Sequence, residues 1–183
     1  MRRSNHSSLT STTKACDAFV DANVGVFVGV EPSGRTRNLE TPTVFSASGG
    51  ALSITSGRIS YVLGLIGPCY SIDTACSSAL TAIHSCVLAL EAGRECDIGL
   101  VIGTKVLSKA SNLATSIGGM TSSHGRCHTF DRRADGYCRG EGCGAFVARL
   151  DDATGPSTAV TTLDTAVQQD GPSASLTAPN GSS

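Results

Sequence analysis

The sequence lacks the features of a membrane protein or a nucleic-acid-binding protein. Its 183 residues include no tryptophan and only 4% aromatic side chains, and 14 basic residues are balanced by 15 acidic ones. This even balance leaves no basic patch for nucleic acid or an anionic membrane surface. Gly, Ser or His interrupts the longest apolar stretches, so none approaches the roughly 20 residues that span a bilayer. We therefore expect no nucleic-acid partner, no membrane span and one domain with its own core.

The sequence also lacks a secretion signal, although it contains eight cysteines. Residues 1–19 have no apolar segment of the kind that signal peptides carry, so we do not expect the disulfide framework of a secreted protein. The expected location is the reducing cytoplasm. The basic, Ser- and Thr-rich start, with no acidic residue before Asp17, is also typical of organelle transit peptides. The alternative interpretation of this start is a disordered or misassigned N-terminus.

The cysteine spacing does not indicate a metal centre. No cysteines form a C-x2-C pair, and neither His84 with Cys86 nor Cys127 with His128 has a familiar zinc spacing. The cysteines considered are Cys69, Cys76, Cys86, Cys96, Cys127, Cys138 and Cys143. We therefore expect no bound metal.

Hydrophobic patterns predict alternating strands and helices. Val24–Val30 is a continuous run rich in β-branched residues, which predicts a buried strand. One helix is predicted over 47–65, with its stop at Gly67 and Pro68, and a second, buried almost all round, over 77–92. A short extended segment is predicted at 69–73, mostly loop over 108–142, and further strands over 96–106, 144–150 and 158–167. This alternation predicts an α/β fold with a parallel or mixed sheet.

Cys76 lies in the stretch GPCYSIDTACSSALTAIHSC, residues 67–86, where a short apolar strand leads directly into a helix. A cysteine in the first turn of a helix feels the positive end of the helix dipole, which favours its thiolate form. Small neighbours allow a substrate carbonyl to approach, and the backbone N–H of Cys76 is placed to donate to an oxyanion. Asp73 or Thr74 is expected to cap the helix. The residues alone leave open whether Cys76 is a nucleophile or a buried, inert cysteine.

The histidines provide no evident catalytic partner for Cys76. His84 lies within the apolar helix, where the expected role is that of a hydrogen-bonded core histidine. His124 and His128 fall in the predicted loop and are expected to be exposed, and His6 lies in the N-terminal segment. A Cys–His hydrolase is therefore the weakest of the functions considered.

Four segments carry a family resemblance. They are SGRISYVLGLIGP (56–68), GPCYSIDTACSSAL (67–80), GRCHTFDRRADGYCRGEGCGA (125–145) and QQDGPSASLTAPNG (168–181). In this order they resemble β-ketoacyl synthases, and most closely the ketosynthase domains of type I polyketide synthases. The resemblance covers roughly residues 24–181, and its last two segments favour polyketide synthases over animal-type fatty acid synthase.

The resemblance implies a partial thiolase-like fold, mainly the N-terminal half of a ketosynthase domain, over residues 21–183. Residues 1–20 would be an unmatched, disordered N-terminus. Cys76 would accept an acyl chain from the phosphopantetheine thiol of an acyl carrier protein. A carrier-bound malonyl unit would then be decarboxylated, and its carbanion would attack the Cys76 thioester. This chemistry requires no metal or redox cofactor, and the resemblance also implies a homodimer paired near residues 67–73.

The chain departs from the family pattern at both ends. The family's two catalytic histidines and a glycine-rich loop lie beyond LTAPNG, and the segment that opens the family's domain has no counterpart in residues 1–20. His124 occupies a position where the family usually has an acidic residue, so it is a substitution and not a displaced base. We therefore expect the central part of a ketosynthase domain, acylated at Cys76 but unable to condense alone. The alternative is a non-catalytic thiolase-like remnant that binds carrier protein or a full-length subunit.

Overall fold

Four strands form a mixed sheet in the order β2-β1-β3-β4. The structure, a computed structural model, describes residues 19–32, 44, 46–91, 95–151 and 160–174. The strands are β1 (Val24–Val30), β2 (Cys69–Ile72), β3 (Ile98–Lys105) and β4 (Gly142–Arg149). β1 pairs in parallel with both β2 and β3, and β3 pairs antiparallel with β4. The predicted α/β class and mixed sheet are confirmed.

β1 is the buried centre of the sheet and has the predicted bounds. Val26, Phe27 and Val28 are at most 1% exposed. A parallel strand covered on both faces has a continuous apolar run and no alternation, which is the pattern of VGVFVGV. β3 and β4 confirm the strands predicted over 96–106 and 144–150, with ends shifted by one or two residues.

The helix predicted over 47–65 is divided into shorter elements. α1 spans Ser46–Gly49, a 3-10 turn spans Leu52–Ile54, and α2 spans Thr55–Leu63. α2 ends before the predicted stop because Gly64 adopts a φ of 69°, in the left-handed region. Glycine takes this conformation without steric cost and commonly terminates helices.

α3 (Ser78–Glu91) confirms the second predicted helix, but the prediction that it is buried almost all round is wrong. Leu80, on the side away from the sheet, is 69% exposed. A sheet covers one side of a helix, and within the described part of the chain no second layer covers the other. The buried residues are Ser78, Ala82, Cys86, Ala89 and Leu90.

The segment 108–142 contains a helix that the sequence did not predict. α4 spans Lys109–Ile117, and the side chain of Ser108 caps it by accepting a 3.1 Å hydrogen bond from the N–H of Ser111. The prediction of loop is therefore wrong over these residues. α4 has no buried residue, but Ala110, Leu113, Ala114 and Ile117 recur at helical spacing. This pattern and the Ser cap were both present in the sequence as signals for the helix.

The structure describes only part of two segments predicted near the ends of the chain. The strand predicted over 158–167 is absent from 160–167, the part that the structure describes. Val160 and Leu163 are exposed there, and no described strand pairs with them. Of the predicted N-terminal segment 1–20, residues 1–18 lie outside the described residues.

β4 is an edge strand with little cover. Phe146 is 47% exposed and Val147 is 68% exposed. Among the described residues, β4 pairs with β3 alone. No helix in the described ranges is long and apolar enough to cross a membrane.

Candidate functional site

Cys76 lies at a strand–turn–helix junction. β2 ends at Ile72, a 3-10 turn covers Ala75–Ser77, and α3 begins immediately after it. Cys76 is exposed, whereas Cys86 and Cys96 are buried. Burial raises the pKa of the Cys86 thiol to about 11, and the neighbouring Cys96 adds to this shift. The interpretation as a buried, inert cysteine therefore fits Cys86 and does not fit Cys76.

Side chains hold the turn before Cys76 in an unusual conformation. Ala75 has a φ of 54°, which residues other than glycine rarely adopt and which costs about 1–3 kcal/mol. Asp73 Oδ1 accepts a 3.0 Å hydrogen bond from the Ala75 N–H. Ser78 Oγ accepts from the Thr74 N–H at 2.8 Å and donates to the Ala75 carbonyl at 2.7 Å. Of the two predicted caps, Asp73 binds a backbone N–H, and the Thr74 side chain makes no capping bond.

Two glycines let the start of α3 lie directly against the sheet. A Cβ at Gly29 would be 2.5 Å from the backbone nitrogen of Ala79, and one at Gly103 would be 2.9 Å from the Ala79 Cβ. Any side chain at Gly29 would therefore push the helix away. The absence of side chains at these positions fixes Cys76 at the carboxyl edge of β1 and β3.

The backbone N–H of Cys76 is available to a substrate. Its neighbours on both sides are used: the Ala75 N–H donates to Asp73, and the Ser77 N–H donates to the Thr74 carbonyl at 3.2 Å. Within the described residues the Cys76 N–H has no hydrogen-bond partner. A free N–H on the nucleophile itself is suited to bind the oxyanion that forms during acyl transfer.

Cys76 lines a cavity of about 1070 Å³ at the carboxyl edge of the parallel strands. This volume is at the upper end of small-molecule sites. Much of the wall is glycine or apolar side chain, including Gly29, Ile83, Val101, Gly103, Met120 and Phe146. The cavity can therefore hold an extended, largely apolar substrate beside the sulfur.

Three charged side chains also line this cavity: Glu31, Lys105 and Arg139. Lys105 Nζ forms an ion pair with Glu31 Oε2, and Arg139 Nη2 lies 3.8 Å from Glu31 Oε1. Arg139 Nη1 donates to the Ser111 carbonyl at 3.0 Å, to Ser111 Oγ at 2.9 Å and to Thr115 Oγ1 at 3.1 Å. Arg139 therefore connects α4 to the carboxyl end of β1.

Sequence reasoning missed this charged cluster, although a signal was present. Glu31 directly follows β1, Lys105 ends β3, and Cys76 follows β2. The carboxyl ends of parallel strands meet at one edge of a sheet, where ligands of α/β proteins bind. Arg139 gave no comparable signal, because its position depends on the unpredicted helix α4.

None of the histidines in the described part of the chain lines the cavity. His84 is partly buried, and its Nδ1 lies 2.8 Å from Thr165 Oγ1, so the predicted hydrogen bond is confirmed and the core location is wrong. His128 is also partly buried, against the predicted exposure, and His6 lies outside the described residues.

His124 is exposed, as predicted, and cannot act as a proton relay in this arrangement. Ser123 Oγ and Asp135 Oδ2 both lie 3.1 Å from the same ring nitrogen, Nδ1. Hydrogen bonds from Ser122 and then from His124 hold the pKa of the Asp135 carboxyl below its ordinary value. The three described histidines thus give no support to a Cys–His hydrolase. Within the described residues, no three His, Cys, Asp or Glu side chains are grouped to hold a metal ion.

Known proteins resemble the chain over most of its length. A family profile described as "Beta-ketoacyl synthase, N-terminal domain" matches residues 6–153. The chain belongs to this family. A phenolphthiocerol/phthiocerol polyketide synthase of Mycobacterium tuberculosis is 43% identical over 167 residues, which cover 85% of this chain and 8% of that protein. 3-Methylorcinaldehyde synthase of Phoma sp is 42% identical over 145 residues, which cover 76% of this chain and 5% of that protein.

A solved ketosynthase shares the fold. The ketosynthase from module 6 of the bacillaene synthase of Bacillus subtilis 168 superposes with a TM-score of 0.62 and 34% identity, covering 75% of this chain and 23% of that chain. The predicted thiolase-like fold and the resemblance to ketosynthases of type I polyketide synthases are confirmed. The chain spans less than a tenth of these two curated relatives and under a quarter of the solved ketosynthase.

Proposed function

We propose that this β-ketoacyl synthase family member serves polyketide biosynthesis by carrying an acyl chain on Cys76 as a thioester before decarboxylative Claisen condensation. One observation carries the proposal: Cys76 is an exposed thiol at a cavity of about 1070 Å³, and its backbone N–H has no partner among the described residues. We assign residues 21–183 to this partial domain, and the family profile extends the match upstream to residue 6, into the segment that we expected to be unmatched. The exposed Cys76 does not favour the alternative of a non-catalytic remnant.

Acyl loading requires a sulfur nucleophile and a donor to the developing oxyanion. Cys76 Sγ attacks the thioester carbonyl, and the Cys76 N–H stabilises the negative charge on its oxygen. When the tetrahedral intermediate collapses, the donor thiolate leaves with the bonding electron pair and takes up the proton that Cys76 lost. A thiolate is both a good nucleophile and a good leaving group, so the chain can later be passed on.

Condensation needs additional groups that stabilise charge on the malonyl thioester. No described histidine lines the cavity. Lys105 is paired with Glu31 and Arg139 Nη1 is bonded to α4, so Arg139 Nη2 is the one cationic donor left open among the described lining residues. We therefore expect the 183-residue chain to be acylated at Cys76 and to form no carbon–carbon bond alone. The proposed acyl donor is the phosphopantetheine thioester of an acyl carrier protein, and the proposed assembly is a homodimer in which β2 lies near the two-fold axis. The cytoplasmic location stays a prediction.

The test is acylation measured by intact-protein mass. The chain is incubated with the hexanoyl thioester of N-acetylcysteamine, and the mass gain is mapped to a peptide. Cys76→Ala should abolish the gain, whereas Cys69→Ala, which removes another exposed thiol outside the cavity, should retain it. Equal labelling of both variants would refute the assignment of Cys76. β-Ketoacyl product from this chain with malonyl carrier protein would refute the expected loss of condensation.

A further inference from the structure

The charged cluster formed by Glu31, Lys105 and Arg139 has a surplus of positive charge. Two cations face one carboxylate, and the described lining residues include no other charged side chain, so this described lining carries a net charge of +1. The three side chains are 31%, 25% and 11% exposed, respectively. An unbalanced charge that is largely withdrawn from water is costly unless a ligand neutralises it.

The guanidinium group of Arg139 has a hydrogen-bond donor that is not used within the described residues. Arg139 Nη1 is fully engaged by Ser111 and Thr115 of α4. Nη2, in contrast, has one polar contact within the described part of the chain, Glu31 Oε1 at 3.8 Å, which is longer than a hydrogen bond. An anion in the cavity could therefore accept a hydrogen bond from an N–H of Arg139 Nη2.

The excess of positive charge in the cluster also affects the protonation of Lys105. Partial burial, and then the positive charge of Arg139, lower the pKa of the Lys105 ammonium. The positive charges of Lys105 and Arg139 therefore repel each other, although both lie near the carboxylate of Glu31. A second anion near these cations would relieve the repulsion.

We propose that Lys105 and Arg139 bind the carboxylate of an acyl chain, so that Cys76 is loaded preferentially with the monothioester of a dicarboxylic acid. This inference rests on the proposed function, because it assigns a substrate class to the same cavity. A carboxylate on the acyl chain is favoured over a phosphate on the carrier because the cluster lines the same cavity as Cys76, and because Arg139 is only 11% exposed.

The loading step balances without a further reactant. The Cys76 thiol and the dicarboxylic monothioester exchange partners: a bond forms between Sγ and the thioester carbonyl carbon, and the bond from that carbon to the donor sulfur breaks. The donor leaves as a free thiol with the proton of Cys76. The distal carboxylate keeps its charge throughout and contributes only binding.

The experiment compares donors that differ at one end. Glutaryl and valeryl thioesters of N-acetylcysteamine have the same chain length, and only glutaryl ends in a carboxylate. The 183-residue chain is incubated with each donor, and the initial rate of acylation is measured by intact mass. A hydrogen bond to a charged group supports a preference for glutaryl on the order of tenfold.

Charge variants separate this inference from a loss of structure. Lys105→Met removes the surplus charge and should reduce the glutaryl preference to near one. Glu31→Gln increases the surplus and should raise the preference, and a damaged fold cannot produce this gain. Lys109→Met removes the same charge from an exposed position outside the cavity and should leave the preference unchanged.

Three outcomes would overturn the inference. Equal rates for glutaryl and valeryl with normal labelling of Cys76 would refute the carboxylate site and leave the proposed function intact. Coenzyme A thioesters of glutaryl and valeryl groups differ from the N-acetylcysteamine donors by carrying phosphates. If both load faster than their N-acetylcysteamine counterparts by the same factor, and Lys105→Met removes this gain, the cluster binds a phosphate of the donor. No acylation by any donor would refute the proposed function and this inference together.

Discussion

Replacing Gly29 with alanine tests whether close packing against the sheet positions Cys76. The new Cβ would lie 2.5 Å from the backbone nitrogen of Ala79 and 2.5 Å from the carbonyl carbon of Ser78. Both atoms belong to the backbone at the start of α3, so no side-chain rotation relieves the clash. The helix start must move, and Cys76 with it.

The expected loss of stability follows from overpacking a buried contact. Such insertions cost about 1–3 kcal/mol, and the usual gain of about 0.5–1 kcal/mol for alanine over glycine in a strand offsets part of this. A net loss of about 1–2 kcal/mol lowers the melting temperature by roughly 2–8 °C for a chain of this size. Acylation should fall further, because a displacement of about 1 Å at a reacting group can reduce a rate on the order of a hundredfold.

Gly144→Ala is the matched control. Gly144 also lies in a strand and lines the cavity, but a Cβ there meets nothing within 4 Å. Thermal unfolding followed by circular dichroism and the rate of acylation by a hexanoyl thioester are measured for both variants. If Gly29→Ala matches Gly144→Ala in both measurements, packing of α3 against β1 does not control the position of Cys76.

Three further predictions concern thiol reactivity, pH dependence and assembly. Limited iodoacetamide treatment at neutral pH should modify Cys76 faster than Cys127 or Cys138, because it combines exposure, a helix start and small neighbours; equal rates in peptide mass spectra would contradict this. The folded chain raises the Cys86 pKa from 9.0 to about 11, so the unfolded chain loses its proton first as pH rises. The free energy of unfolding should therefore decrease between pH 9 and 11, by up to about 2–3 kcal/mol, and urea titrations of Cys86→Ala should show a flatter dependence. Tyr70→Asp on the outer strand β2 should weaken a homodimer in analytical ultracentrifugation, and an unchanged mass would count against that interface.

The sequence predicted the elements whose signals are local and strong. β1 has its predicted bounds because a seven-residue apolar run rich in β-branched valine is typical of a covered parallel strand. The exposed position of Cys76 was left open, since the same residues suit a buried cysteine. It depends on the φ of Ala75, on the hydrogen bond that Asp73 accepts and on the one that Ser78 donates, and residue type alone does not specify these.

The remaining errors have tertiary causes. The outward side of α3 is exposed because a single sheet covers only the inward side, and apolar periodicity does not report how many layers surround a helix. α4 lacks buried residues and is held in part by three hydrogen bonds from Arg139, a residue 24 or more positions away. The charged cluster joins residues from the ends of two strands and a distant loop, so no short motif indicates it.

The uncovered edge strand β4 has a consequence for handling the isolated chain. Phe146 and Val147 are exposed on a strand whose outer backbone N–H and C=O groups have no partner strand among the described residues. Such an edge is a template for a strand from another molecule, and a charge at its far end, Arg149, is a weak barrier to that pairing. Concentrated samples should therefore precipitate through intermolecular β-sheet, whereas dilute samples should remain clear for longer. A lysine in place of Val147 should extend shelf life without contacting the cavity of Cys76.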